Sequence, residues 1–198
     1  HVRSRRQRQM CIRDSINPYF LHHNGRAGFL IRAALATMGS GLWGMYSGFE
    51  ICESLPVPGK EEYLDSEKYE IRVRDYQAPG NIVAEIAQLN RIRRQNPALQ
   101  THLGFQAYPC WNDNILFFGK RTADRENFIL VAVSLDPHNA QEAHFELPLW
   151  ELGLDDHATT HGEDLMTGHT WQWHGKTQWM RIEPWHQPFG IWRIRVAS

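Results

Sequence analysis

Gly41–Arg72 reads GLWGMYSGFEICESLPVPGKEEYLDSEKYEIR, and its reading decides the fold. A short apolar run, Leu42–Tyr46, stops at Ser47-Gly48 and gives way to a charged loop dotted with aromatics. The loop carries Glu50, Glu53, Glu61, Glu62, Asp65, Glu67, Lys68 and Tyr69. A run apolar on both faces predicts a parallel strand covered on both sides. A covered strand that ends in a long polar loop is how α/β barrels present functional groups, at the strands' C-terminal ends.

The flanks extend the pattern. Arg26–Met38, RAGFLIRAALATM, is rich in Ala and Leu and apolar on most faces, which predicts a buried helix ended by Gly39-Ser40-Gly41. After the loop, Asn81 is placed to cap a second helix over Ile82–Gln95. Ile82, Ile86, Leu89 and Ile92 form its apolar stripe, and Arg91, Arg93 and Arg94 gather where the helix dipole favours cations. Pro97 forces Asn96 out of the helical region and ends the helix. Helix, strand, loop, helix is the tail of an α/β repeat.

Beyond about Gln100 the period changes from 3.6 to 2. Residues 115–120, 128–135, 143–147, 170–174, 178–183 and 190–196 read as short strands. Asp136-Pro137-His138-Asn139, Thr167-Gly168 and His174-Gly175-Lys176 supply the turns, and the spacing predicts an antiparallel β-sandwich. Trp171, Trp173, Trp179, Trp185 and Trp192 crowd this part, and the expectation is that they are core. A sugar platform would need the same indoles exposed.

Composition excludes several classes. The 198 residues carry a net charge of −1, which makes no electrostatic case for nucleic acid or an anionic membrane. Cys11, Cys52 and Cys110 are odd in number and widely spaced, which fits neither a disulfide framework nor a zinc site and suits a reducing cytoplasm. No apolar run is long enough to span a bilayer. Residues 1–15, HVRSRRQRQMCIRDS, have five arginines and no apolar period; they are expected to be a disordered arm derived from an adaptor or cloning remnant.

Several fragments carry a family likeness. GMYSGFE at Gly44–Glu50 resembles the last barrel strand of the α-amylase superfamily, glycoside hydrolase family 13. PVPGKEEYLDSEKYEIR at Pro56–Arg72 resembles one subgroup, the α-1,4-glucan:maltose-1-phosphate maltosyltransferases; INPYFL from Ile16, LNRIRRQNPALQ from Leu89 and LVAVSLDPH from Leu130 match it too. The resemblance implies that residues 16–98 are the last βα portion of a (β/α)8 TIM barrel and residues 99–198 an antiparallel β-sandwich C-terminal domain. It implies a retaining transfer of maltosyl from α-maltose 1-phosphate to the non-reducing end of an α-1,4-glucan, with release of phosphate. Such chemistry needs two carboxyls about 5–5.5 Å apart. The resemblance places both before residue 1 and a supporting Asp where Ser15 stands; Asp14 is one position early, so no catalytic carboxylate is assigned and the chain alone is expected to be inert.

Lys68 and Tyr69 match the pair that contacts the donor sugar in that family. An ammonium supplies three donors to hydroxyl or phosphate oxygens, and a tyrosine adds a hydroxyl and an apolar face. Glu50 and Glu53 are expected to be structural, and Gly44 and Gly48 to serve close packing and the sharp strand exit. Neither Glu61, Glu62 and Asp65 nor His22-His23 has ligand spacing, so no metal is expected, and no cofactor. The family likeness further implies a cytoplasmic homodimer. The competing readings are a noncatalytic carbohydrate-binding or interaction module, a related family 13 hydrolase, and a trehalose synthase; EEYLDSEKY favours the maltosyltransferases.

Overall fold

The computed structural model describes residues 18–59, 63–64 and 71–196, with side chains from Phe20 onward. The basic arm, Lys68 and Tyr69, and the acidic residues Glu61, Glu62, Asp65 and Glu67 lie outside the described residues.

Helix α1 spans Pro18–Gly39. It begins well before the expected Arg26 because Gly25 (φ 50°, ψ −144°) lets the chain kink and resume as helix rather than end. Its apolar side is buried through Leu21, Phe29, Leu30, Ile31, Ala33, Ala34 and Met38. Thr37, also buried, donates its hydroxyl to the Ala33 carbonyl at 2.6 Å, so no polar group is stranded there.

Helix α2 spans Val83–Gln95 and buries Ile86, Leu89 and Ile92. The N-cap is Ile82, without a side-chain cap, and not the expected Asn81, which stands one residue earlier; the Asn81 side-chain oxygen still accepts the Val83 N–H at 3.1 Å in a local turn. At the far end Asn96 is extended (φ −124°, ψ 102°), as the following Pro97 demands. Buried Asn96 donates to the Ile92 carbonyl at 2.8 Å and accepts from Asn127 at 2.9 Å, while Asn127 accepts the Ala98 N–H at 3.1 Å. This pair fastens the helix end to the sheet.

The β region contains β1 (Phe105–Ala107), β2 (Ile115–Arg121), β3 (Phe128–Ser134), β4 (Gln141–Glu146), β5 (Thr159–Asp164), β6 (Thr170–His174), β7 (Thr177–Ile182) and β8 (Phe189–Val196). Every pairing is antiparallel, in a six-stranded sheet of order β1-β2-β3-β8-β5-β6 and a two-stranded ribbon of β4 and β7. β3, FILVAVS, is buried at every position because it is covered on both faces. On one face Phe118, Ile129, Val131, Val133, Phe189 and Ile191 share a core with α1 and α2. On the other, Phe117, Phe128, Leu130 and Ile194 pack against Ala143, Phe145, Met180 and Ile182 of the ribbon. The expected sandwich is thus two unequal sheets, with helices against the outer side of the larger.

Three corrections follow. Leu42–Tyr46 forms no strand: the segment has no ladder partner among the described residues, and Leu42 is 86% exposed. An apolar run becomes a strand only where another edge accepts its hydrogen bonds. β1 and β5 were not expected. β5 reads THGED after Thr159, too polar to signal a strand by itself, and is drawn into the sheet by its neighbours β8 and β6. Gly162 makes that possible, since a Cβ there would stand 2.7 Å from the Trp173 ring and 3.0 Å from Trp171. Finally, Trp173 is core, with Trp171 and Trp192 packed against it, but Trp179 and Trp185 are more than half exposed.

Candidate functional site

The loop after α1 is shaped by two left-handed residues. Gly48 (φ 93°) leads into a 3₁₀ turn over Phe49–Ile51, and Cys52 (φ 58°) ends it. The Glu53 N–H returns to the Gly48 carbonyl at 2.9 Å. The turn is anchored from two sides: Phe49 meets Phe29 of α1 edge-on at 4.9 Å, and the Glu50 carbonyl accepts the Ile82 N–H at 2.8 Å. Gly48 is needed for space as well as for φ, because a Cβ there would lie 2.2 Å from a Glu53 carboxylate oxygen. Gly44, expected to serve close packing, has nothing near its Cβ position.

Glu53 accepts from Arg74 Nε at 3.0 Å and lies 3.9 Å from Arg72 Nη1. The Arg74 side chain is almost wholly buried against it, so the pair holds two distant parts of the loop together. Pro56 bridges to Tyr63, and the Leu64 N–H donates to the Leu55 carbonyl at 2.7 Å, folding the loop back on itself. That turn stacks Tyr63 on Tyr46 at 5.6 Å with the rings 8° from parallel.

A cleft of about 310 Å³ opens between these groups, lined by Tyr46, Ser47, Glu53, Tyr63, Arg72 and Arg74 among others. It offers aromatic faces, hydroxyls and guanidinium groups beside a carboxylate, a set that suits a polyhydroxylated or phosphorylated ligand. Burial, reinforced by Tyr46, pushes the Tyr63 hydroxyl up to about 12. Burial likewise raises the Cys52 thiol to about 11, outweighing the favourable charge of Arg26. Both therefore stay protonated at neutral pH, and Cys52 is no thiolate nucleophile. Glu50 has a buried carboxylate oxygen, Oε2, without a hydrogen-bond partner.

Of the residues expected from sequence, Glu53 is placed in the cleft wall, while Lys68 and Tyr69 belong to the part of the same loop outside the described residues. His22 and His23 are exposed on α1 with rings 5.6 Å apart. Sequence reading missed Tyr46, Tyr63, Arg72 and Arg74. The Arg72-Val73-Arg74 alternation was the available signal, since in extended chain it puts both guanidinium groups on one side.

Comparison with known proteins bears on the whole chain. Residues 107–194 match a family described as "GLGE, C-terminal". The chain is 80% identical over 180 residues to the α-1,4-glucan:maltose-1-phosphate maltosyltransferase of Pseudomonas aeruginosa, covering 91% of this chain and 27% of that protein. It is 49% identical over 179 residues to the protein of the same name from Cereibacter sphaeroides, covering 90% and 27%. Among solved structures, an Anoxybacillus α-amylase superposes with a TM-score of 0.61 at 11% identity, covering 87% of this chain and 33% of that one; this likeness concerns the fold. The chain spans about a quarter of the length of the curated relatives it matches. By its sequence, it belongs to the family of the α-1,4-glucan:maltose-1-phosphate maltosyltransferases.

Proposed function

We propose that this chain is part of a retaining maltosyltransferase that moves maltosyl from α-maltose 1-phosphate to the non-reducing end of an α-1,4-glucan and releases phosphate. The observation that carries this reading is the 80% identity over 180 residues, 91% of this chain. In this reading residues 16–98 complete a (β/α)8 barrel and residues 99–198 form its C-terminal domain. The catalytic carboxylates are supplied by sequence outside this chain. The family likeness extends the proposal to a cytoplasmic homodimer that uses no cofactor.

The cleft residues fit the donor. The stacked rings of Tyr46 and Tyr63 offer an apolar face and hydroxyls to a sugar. Arg72, at the rim, offers a planar fork to phosphate, while Glu53 holds the buried Arg74 in place. Lys68 and Tyr69 contact the donor sugar and hold it for attack, a positioning role.

The test joins this chain to the preceding part of the Pseudomonas aeruginosa relative and measures phosphate release from α-maltose 1-phosphate. The joined enzyme is expected to be active, and Lys68→Met is expected to lower kcat/KM by about 10–100-fold, in line with loss of one or two charge-assisted hydrogen bonds. A folded but inactive joined enzyme, or an unaffected Lys68→Met, would overturn the reading.

A further inference from the structure

The outer face of the ribbon carries groups for which the cleft has no use. His144 on β4 is paired in register with Trp179 on β7. On the other side of β4, Cys110 bridges to Phe145, and the Trp111 N–H donates to the His144 carbonyl at 3.0 Å. Residues opposed across an antiparallel ladder share a face. Trp111, His144 and Trp179 therefore stand in one row across three adjacent segments. All three are exposed, Trp111 by 60% and Trp179 by 53%. Two strand spacings put the Trp positions about 10 Å apart.

We propose that this row is a docking site for an α-glucan chain, separate from the cleft, with the two indoles as stacking platforms for sugars about one disaccharide apart. The choice of glucan rests on the proposed function; the platform rests on the ribbon. An indole presents a flat, weakly hydrated surface to the C–H face of a pyranose. The neighbouring charges exclude an anionic ligand and leave a neutral glucan compatible with the face. Arg181 pairs with Glu142 across the ladder and with Glu183 at 2.9 Å, and Lys176 pairs with Asp156 at 2.7 Å and faces Glu146 at 3.9 Å. Two cations set against four carboxylates leave the face with a negative surplus, which repels phosphate backbones and an anionic surface. The same carboxylates and guanidinium group remain able to exchange hydrogen bonds with sugar hydroxyls.

The test uses the full 198-residue chain, with maltoheptaose titrated by tryptophan fluorescence and glycogen presented in affinity electrophoresis. Trp111→Ala and Trp179→Ala are each expected to weaken binding about tenfold, the double variant to abolish retardation, and Leu42→Ala to leave it unchanged. The thermal transition should hold in all of them, because these side chains are exposed. Absence of glucan binding by the unaltered chain, or binding that survives the double variant and is lost in Tyr46→Ala, would overturn the platform. So would a dimer in sedimentation that depends on Trp111 and is not dissociated by maltoheptaose. Failure of the joined enzyme to release phosphate would strike the proposed function alone, and loss of ribbon binding the platform alone.

Discussion

The β region and the loop over residues 40–81 are built on opposite terms. Around β3 every apolar side chain meets another, on both faces of the sheet. In the loop, Ile71 and Val73 are 98% and 100% exposed, and the turn is fastened by a few directed contacts: the Glu53 pair, the Tyr46–Tyr63 stack and Phe49 against α1. Area burial stabilises the first; geometry at single residues shapes the second. Loops of that kind yield locally long before the core does.

The contrast breaks first where the two sheets meet. Phe145 meets Phe117 edge-on at 4.9 Å and stacks on Trp192 at 6.1 Å, so Phe145→Ala should cost about 3–5 kcal/mol in urea unfolding. Val73→Ser, by comparison, should move stability by less than about 0.5 kcal/mol. Equal effects of the two would erase the distinction between region and loop.

A smaller effect is expected at Gly48. An alanine there must hold a left-handed backbone and displace the Glu53 carboxylate, at a cost of about 1–2 kcal/mol. The loss should be local: amide exchange should quicken at Ile51, Cys52 and Glu53 while the global melting temperature barely moves. Unchanged exchange at those amides would show that the turn is not held by Gly48.

The smallest effect concerns pH. Burial raises the Cys52 thiol to about 11 from an ordinary value of 9.0, so the folded state favours the protonated form. Its contribution to stability is complete below about pH 9 and is lost as pH rises toward 11. Alkylation of Cys52 in the folded chain should accordingly lag that of the urea-unfolded chain at pH 9 and catch up near 11. Equal rates at pH 9 would show that the thiol is not shielded.

These contrasts also explain what could be read without coordinates. FILVAVS, Phe128–Ser134, is legible as a strand because it is short, rich in β-branched residues and followed by the turn signal Asp136-Pro137, but its burial on both faces was not read from it. The Ile86, Leu89 and Ile92 stripe and the Pro97 stop are equally legible, being local properties of a helix. Leu42–Tyr46 has the composition of a strand, yet a ladder needs a second edge, and composition cannot supply one. β5 shows the converse, polar residues paired because β6 and β8 offer edges on both sides. At the site, the GMYSGFE and Pro56–Arg72 motifs marked the right loop, but the stack of Tyr46 on Tyr63 and the grip of Glu53 on Arg74 join residues 17 and 21 positions apart by loop closure.

By itself, then, the sequence determined the helices, most of the strands, the loop that bears the cleft and the family to which the chain is related. Each follows from periodicity, turn chemistry or a continuous motif, all carried by neighbouring residues. Only the tertiary structure decided which strands share an edge, which tryptophans are core and which form the exposed row with His144, and how Gly48 makes room for Glu53. Those outcomes depend on register and close approach between distant segments, and no local pattern encodes them.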